Sequence, residues 1–203
     1  MVYIVDDEPA VLRAVSRLLT SAGFRVRAFE SPLRFVAEHD AEISGCGLAD
    51  LSMPEMDGLA LQEALCSPTD DAPARPIIFL SGRADIPSSV QAMKQGAIDF
   101  LTKPVDDEAL LDAVRRAIDR DLEARRGRRA LESLHERWRS LTPREREVME
   151  RVVAGRLNKQ IAYELGTAEK TIKVHRGRVM QKMQADSLAD LVRMAQRLST
   201  PPV

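Results

Sequence analysis

Residues 2–8 read Val2-Tyr3-Ile4-Val5-Asp6-Asp7-Glu8, four apolar residues followed at once by three acidic ones. A short apolar run of this kind is typical of a strand that is buried on both faces of a parallel sheet. The acidic residues then fall at the carboxyl end of that strand, where parallel sheets place their working residues. The stretch therefore predicts a buried strand with a site at its end.

The same pattern continues through the first 118 residues. Four more strand-like runs lie at 24–29, 47–51, 77–80 and 98–101, and segments with helical spacing lie at 9–22, 33–39, 59–65, 88–95 and 108–118. Strands that alternate with helices indicate a parallel sheet covered by helices on both faces. We expect residues 1–118 to form a doubly wound α/β domain with five parallel strands.

Beyond residue 140 every segment has helical character. Thr142 and Pro143 supply a cap and a first-position proline for one helix. Three more helices are predicted at 158–165, 169–183 and 188–198, which makes residues 141–203 a small all-α four-helix domain. The second and third of these helices have a helix-turn-helix outline, which many small helical domains share.

Between the two domains, residues 119–140 are dense in Arg and Glu. Leu131, Leu134, Trp138 and Leu141 are spaced 3, 4 and 3 residues apart, a rhythm typical of a helix with one apolar seam. We interpret the segment as a helical linker. Its seam packs either on a partner chain or on the chain's own domains, and both alternatives stay open at this point.

The net charge of −1 conceals an asymmetry. Residues 1–120 carry 12 Lys+Arg and 20 Asp+Glu, a net of −8, whereas residues 121–203 carry 18 and 11, a net of +7. The acidic half could hold a cation and the basic half a polyanion such as nucleic acid. The alternative is two solvated faces of opposite sign.

Cys46 and Cys66 have no His or Cys partners at metal-ligand spacing, so they indicate ordinary thiols of a reducing compartment. No stretch approaches the ~20 apolar residues that a membrane-spanning helix needs. The first residues also show neither the basic segment nor the cleavage site of a signal peptide. We expect a cytoplasmic protein with no membrane partner.

Polar side chains follow four of the predicted strands: Asp6 and Asp7, then Asp50, then Ser81, then Lys103. Strand ends in a parallel sheet meet at one edge, so these groups should lie together. Clustered carboxylates are best tolerated around a hard cation such as Mg²⁺. Mg²⁺ and Lys103 would neutralise an incoming phosphoryl group, and Asp50 could hold it as an acyl phosphate. Singly, each residue also fits a helix cap, a solvent-facing position or a turn.

The third helix of the basic half has two distinct faces at about 100° per residue. Ile172, Val179 and Met183 share the side expected in the core. The other side carries Lys170, Lys173, Val174, Gly177, Arg178 and Gln181. Cations, a glycine and a small apolar side chain suit the major groove of DNA, although a solvated basic face is the alternative.

Four strings carry a family resemblance: Val5-Asp6-Asp7-Glu8, Asp50-Leu51-Ser52-Met53-Pro54-Glu55-Met56-Asp57-Gly58, Phe79-Leu80-Ser81-Gly82 and Asp99-Phe100-Leu101-Thr102-Lys103-Pro104. With them, residues 1–120 resemble a response-regulator receiver domain, which has a flavodoxin-like fold. The resemblance implies that Asp50 is the phosphoacceptor and that Asp6, Asp7, Asp50 and the Ser52 carbonyl hold Mg²⁺.

The same resemblance assigns the remaining roles. Lys103 would contact the phosphoryl group, and Ser81 with Phe100 would form a switch pair, the hydroxyl turning toward the phosphate while the ring moves inward. Asp57, also in these strings, is expected in a turn with Gly58 after the site.

Three further strings, Leu141-Thr142-Pro143-Arg144-Glu145-Arg146-Glu147-Val148, Asn158-Lys159-Gln160-Ile161-Ala162 and Thr171-Ile172-Lys173-Val174-His175-Arg176, resemble a LuxR-type helix-turn-helix domain. The whole chain then resembles a two-component response regulator of the NarL/FixJ type. The resemblance implies a recognition helix at 169–183 and a last helix that aids dimerisation on DNA. Candidate DNA-binding residues are Lys159, Lys170, Thr171, Lys173, Val174, His175, Arg176, Gly177 and Arg178.

By this resemblance the protein is a transcription regulator and not an enzyme. A sensor histidine kinase would donate the phosphoryl group, receivers would pair through residues 87–95 and 98–101, and the homodimer would bind a two-fold DNA site, with RNA polymerase a further partner. An aspartyl-phosphate phosphatase is a rival, but such families carry a second Asp where Ser52 stands. A C-terminal domain that contacts protein instead of DNA is the other rival.

Overall fold

The computed structural model describes residues 1–65, 74–82 and 86–199. The chain divides into two compact units, Met1–Arg126 and Gly127–Val203. Of the two cysteines, Cys46 is buried, and burial raises the pKa of its thiol to about 12. Cys66 lies outside the described residues. No helix in the described ranges has the length and apolar character needed to cross a membrane.

The first unit is a five-stranded sheet with the order β2-β1-β3-β4-β5, and every neighbouring pair is parallel. The strands are β1 (Val2–Val5), β2 (Val26–Phe29), β3 (Cys46–Asp50), β4 (Ile77–Ser81) and β5 (Asp99–Thr102). The helices are α1 (Pro9–Ser21), α2 (Pro32–Glu38), α3 (Gly58–Leu65), α4 (Ile86–Lys94) and α5 (Asp107–Arg139). The predicted doubly wound α/β fold is confirmed.

The alternation of side chains across the strands explains why helices cover both faces. In β1, Val2 and Ile4 belong to a buried cluster that also contains residues of α1 and α5. Tyr3 and Val5 belong to a second cluster that contains residues of α2, α3 and α4. Because both faces of the sheet are buried, its strands are continuous apolar runs, as the sequence indicated.

The strand register brings the polar strand ends to one edge of the sheet. Val5 pairs with Ala49, so Asp6 and Asp50 are the next residues on neighbouring strands. Asp50 pairs with Leu80, which places Ser81 one step further along β4. Ser81 in turn pairs with Thr102, directly before Lys103. The parallel register therefore builds the site.

Helix α5 is one continuous helix of 33 residues, Asp107–Arg139. It joins the helix predicted at 108–118 to the predicted linker, and the division between the units falls inside that linker. Leu134, Trp138 and Leu141 of the apolar seam pack in the core of the second unit. These three residues therefore pack on the chain itself, one of the two alternatives that the sequence left open. The predicted domain limits remain predictions.

The second unit is all-α in its described part, as predicted. Its helices after α5 are α6 (Pro143–Val153), α7 (Asn158–Glu164), α8 (Glu169–Met183) and α9 (Leu188–Ser199). A capping box begins α6: the Glu145 amide donates to Thr142 Oγ1 (3.3 Å), and the Thr142 amide donates to Glu145 Oε2 (2.9 Å). At α9, Ser187 Oγ accepts from the Asp190 amide (3.1 Å), which confirms the predicted cap.

Candidate functional site

Three carboxylates gather at the carboxyl edge of the sheet. One oxygen from each of Asp6, Asp7 and Asp50 lies within 4.8 Å of the others. Asp6 and Asp50 are buried, whereas Asp7 is exposed. A cleft of about 350 Å³ opens here, lined by Asp7, Glu8, Asp50, Ser52, Ser81, Gly82 and Lys103. The structure thus brings together Asp6, Asp7, Asp50, Ser52, Ser81 and Lys103, whereas Phe100 is not among the residues that line the cleft.

Lys103 supplies the positive charge of this cluster. Its Nζ lies 2.7 Å from Asp6 Oδ2 and 3.4 Å from Asp50 Oδ2, and its amide donates to the Ser81 carbonyl at 2.7 Å. Burial by itself lowers the pKa of Lys103, but the hydrogen bond to Asp6 and the charges of both carboxylates outweigh burial and raise the pKa. Lys103 is therefore a fixed cation beside Asp50 at neutral pH.

Asp50 is held in a place that opposes its negative charge. Its pKa is raised, first by burial and further by the charge of Asp6. The ion pair with Lys103 and the hydrogen bond from the Leu51 amide to Oδ1 (2.8 Å) act in the opposite direction. The carboxylate is thus positioned by two partners yet incompletely neutralised, a state that favours the arrival of further positive charge.

The donor set fits a magnesium ion. Carboxylate oxygens are hard ligands, and Mg²⁺ binds through one or two carboxylates while it keeps several waters. Asp7 is exposed and lines an open cleft, which leaves room for water and for a phosphoryl group. Asp6, Asp7 and Asp50 would hold the ion, and Ser52 lines the same cleft.

Ser81 and Phe100 occupy different surroundings. Ser81 is buried at the end of β4 and lines the cleft. Phe100 is half-buried in β5 and packs against the cluster that contains α2, α3 and α4. Ser81 therefore belongs to the cleft, whereas Phe100 belongs to the packing of the second apolar cluster.

Gly58 contributes to the site in a way that its sequence context did not reveal. A Cβ at this position would lie 2.6 Å from the Asp50 carbonyl oxygen and 2.8 Å from the Phe79 ring. The Gly58 amide donates to the Leu51 carbonyl at 2.9 Å, and Asp57 Oδ1 accepts from the Ala60 amide at the start of α3. Residues 51–58 therefore fold back onto Asp50, and only glycine permits this approach.

The candidate recognition helix α8 presents the predicted faces. Ile172, Val179 and Met183 are buried. The exposed candidates on α8 are Lys170, Thr171, Lys173, Val174, Gly177 and Arg178, and Lys159 is exposed on α7. His175 and Arg176 are half-buried at the flank, and Arg176 Nη1 donates to Asn158 Oδ1 at 3.2 Å.

Three charged residues that the sequence reading did not single out hold the end of α8. Lys182 Nζ lies 2.6 Å from Glu145 Oε2 and donates to the Ser140 carbonyl at 3.1 Å. Arg137 Nη1 donates to the carbonyl of Met183, the last residue of α8, at 3.1 Å. Burial alone raises the pKa of Glu145, but Lys182 and Thr142 outweigh burial and lower it. Helix α8, the candidate recognition helix, is thus tied to the start of α6 and to the end of α5.

Family models match most of the chain. The response regulator receiver domain matches residues 2–115, and the luxR family of bacterial regulatory proteins matches residues 139–195. The two matched regions correspond to the unit with the acidic cleft and to the unit with α8.

Relatives match this chain over most of its length. The chain is 43% identical over 198 residues to the response regulator protein TmoT of Ectopseudomonas mendocina, covering 98% of this chain and 89% of TmoT. It is 39% identical over 194 residues to the transcriptional regulatory protein FixJ of Rhizobium meliloti, covering 96% and 94%. The solved structure of the response regulator StyR matches with a TM-score of 0.86 at 42% identity, covering 97% and 98%. The chain therefore belongs to the two-component transcriptional response regulators of the NarL/FixJ type, which join a receiver domain to a LuxR-type helix-turn-helix domain.

Proposed function

We propose that Asp50 accepts a phosphoryl group from a sensor histidine kinase and that this event controls binding of the C-terminal domain to promoter DNA. The observation that carries the proposal is the convergence of Asp6, Asp7 and Asp50 within 4.8 Å, with Lys103 Nζ at 3.4 Å from the Asp50 carboxylate. An Asp50 oxygen would attack phosphorus, and the phosphorus–nitrogen bond of the kinase phosphohistidine would break.

Each of the neighbouring residues has a defined part in this transfer. Asp6, Asp7, Asp50 and the Ser52 carbonyl would hold Mg²⁺, which supplies positive charge at the phosphoryl oxygens when bound. Lys103 would move its ion pair from the carboxylates to the phosphoryl group, since its charge is fixed at neutral pH. Ser81, which lines the cleft, would donate its hydroxyl to the same group.

The switch would then act on the surface formed by α4 and β5. When the Ser81 hydroxyl turns toward the phosphoryl group, Phe100 would move inward, because the ring and the hydroxyl sit on paired strands. We propose that this change pairs two receivers into a homodimer. A phosphoryl group can shift the equilibrium between the unswitched and switched receiver only if it stabilises the two states to different extents. Dimers must therefore form more tightly from switched receivers than from unswitched ones.

The paired C-terminal domains would bind a two-fold DNA site through α8. Lys173 and Val174 would face base edges, as would the backbone at Gly177. Lys159, Lys170, Thr171, His175, Arg176 and Arg178 would contact phosphates or the flanks of the site. RNA polymerase is a further proposed partner. We also infer a cytoplasmic location, because the promoter DNA and the phosphohistidine of the kinase are both reached there. We propose a regulator, not an enzyme with a substrate of its own.

The test is the solution mass and the DNA affinity of the full chain, with Mg²⁺ and with or without acetyl phosphate as phosphodonor. We expect the donor to raise the dimer fraction and the DNA affinity together in the wild type and to change neither in Asp50→Asn. Asp57→Asn is the matched control, because Asn can still cap α3 and Asp57 lies outside the carboxylate cluster. A full response in Asp50→Asn would overturn the proposal.

A further inference from the structure

A cavity of about 410 Å³ lies within the C-terminal unit, between the end of α5, α6 and the second half of α9. Its apolar wall consists of Trp138, Met149, Val153, Ala195 and Leu198. Met149 is buried in the core of this unit, whereas the other four pack against that core and are only half-buried. The cavity therefore extends the hydrophobic core to the surface. It has the size and the lining of a small-molecule site, which proteins build mostly from apolar side chains with a few polar groups.

Arg146 supplies a positive charge to this cavity. Its guanidinium stacks 4.3 Å from the ring centroid of Trp138, and Nη2 donates to the Arg139 carbonyl at 3.0 Å. Nε is buried and has no hydrogen-bond partner among the residues that the structure describes. A guanidinium offers several N–H donors in one rigid plane. Arg146 is therefore held in a fixed orientation and retains hydrogen-bonding capacity that an anionic group could use.

Two further polar side chains line the cavity. His135 Nδ1 donates to the Leu131 carbonyl at 3.0 Å, so Nε2 is the ring nitrogen that remains for a ligand. Glu150, one turn after Arg146 on α6, is exposed, and water and salt screen its charge. Arg146 is half-buried, and its charge is screened less. The charges that line the cavity therefore favour a negative group beside Arg146.

We propose that this cavity binds a small organic anion in which a carboxylate is carried on an aliphatic or aromatic body. The body would cover the open surface of Trp138, Val153 and Leu198, which is favourable in proportion to the apolar area removed from water. The carboxylate would accept hydrogen bonds from Arg146, and such charge-assisted bonds are stronger than neutral ones. The cavity shares no lining residue with the acidic cleft, so the proposal is independent of the proposed function.

Binding is tested on the full chain through the fluorescence of Trp138, which is the one tryptophan of the sequence and lines the cavity. Octanoate is the aliphatic probe and 3-phenylpropionate the aromatic probe, and the corresponding alcohols are their uncharged counterparts. We expect each carboxylate to change the fluorescence to saturation and to bind more tightly than its alcohol. The carboxylate that binds more tightly then identifies the aliphatic or the aromatic class of body. No saturable change with either carboxylate would overturn the proposal.

Arg146→Gln separates the effect of the charge from that of the apolar wall. We expect this variant to bind octanoate about tenfold more weakly and octan-1-ol as the wild type does, because a charge-assisted hydrogen bond is lost while the wall remains. Arg197→Gln is the matched control, because Arg197 is an exposed arginine of α9 that does not line the cavity, and it should change neither affinity. Equal losses for octanoate and octan-1-ol in Arg146→Gln would show that Arg146 only supports the wall and would overturn the assignment of a carboxylate.

Glu150→Gln tests the same assignment without altering the stack on Trp138, and it decides the question if Arg146→Gln does not fold. The exposed Glu150 carboxylate repels an anionic ligand, so we expect the variant to bind octanoate about two- to threefold more tightly. Weaker binding of octanoate would contradict the proposed sign of the ligand charge. A fluorescence change that disappears as the protein concentration is raised would assign the cavity to a second copy of the chain, and the small-anion site would then be wrong.

Discussion

Asp50 shows how a functional position can lower the folding stability of its own domain. Its raised pKa, due first to burial, means that the protonated side chain is favoured by folding. The stability that protonation contributes is present below the unfolded pKa and is lost as the pH rises through the folded pKa. At neutral pH the charged carboxylate therefore destabilises the receiver.

We predict that Asp50→Asn raises the thermal unfolding midpoint of the receiver transition by a few degrees at pH 7 without Mg²⁺, because the buried charge is removed. The difference from the wild type should shrink as the pH falls and Asp50 becomes protonated. Thermal denaturation between pH 4 and pH 8 measures this, with Asp7→Asn as an exposed control. A destabilised Asp50→Asn protein would show that the Lys103 ion pair outweighs burial.

Gly58 is the second position that shapes the site, because an added Cβ atom there would overlap the Asp50 backbone. We predict that Gly58→Ala lowers the free energy of unfolding by about 1–3 kcal/mol, since its Cβ would overlap the Asp50 carbonyl oxygen. The displaced loop should also slow phosphorylation of Asp50 by acetyl phosphate. Gly47→Ala in β3 is the control, because its Cβ would make an ordinary 3.6 Å contact with Ile77. Urea denaturation and the phosphorylation rate check both parts, and equal effects of the two variants would contradict the prediction.

At the scale of elements, α8 depends on charged contacts at its end for its position. Glu145 serves two helices: it completes the capping box of α6 and accepts from Lys182 of α8. Because Glu145 is 2% exposed, loss of Lys182 would leave a buried carboxylate with weaker compensation.

We predict that Lys182→Met destabilises the C-terminal domain by about 1–2 kcal/mol at pH 7. The pKa of Glu145 is lowered in the folded state, so the stability that it contributes is present at neutral pH and is lost as the pH falls through that pKa. The difference between variant and wild type should therefore decrease toward acidic pH. Urea denaturation at two pH values measures the effect, and Lys170→Met on the exposed face of α8 should be near neutral.

At the scale of the whole molecule, the two halves of the chain carry opposite net charges. The acidic half carries the carboxylate cluster, and the basic half carries the exposed cations of α8. Contacts with DNA phosphates release counterions, so affinity should fall linearly on a log–log scale as salt rises.

We predict that Lys170→Gln weakens DNA binding on all sequences alike and reduces the salt slope by about 1. Val174→Ala should instead change the preference among DNA sequences, because an apolar side chain reads the thymine methyl and no phosphate. Titrations of the acetyl phosphate-treated chain at several salt concentrations separate the two effects. Identical slopes for wild type and Lys170→Gln would remove Lys170 from the phosphate contacts.

The sequence by itself was sufficient for the strands and helices of the receiver and for the convergence of Asp6, Asp50 and Lys103 at one edge of the sheet. Apolar runs such as 77–80 specify buried strands because both sheet faces exclude water, and parallel register then forces Asp6, Asp50 and Lys103 together. Local caps such as Thr142 and Ser187 were equally readable, since their hydrogen bonds span only three residues.

Contacts between residues distant in the chain were decided only by the tertiary structure. Neither the pairing of Asp121 with Ser44, 77 residues away, nor the approach of Gly58 to Asp50 leaves a periodic signal in the sequence. The linker shows the reason most clearly. Its helical spacing could be read from the sequence, because amphipathic spacing is a local property. The residues that each turn packs against depended on the tertiary structure. Local spacing determined that α5 is a helix, and long-range packing determined which buried groups hold each part of it.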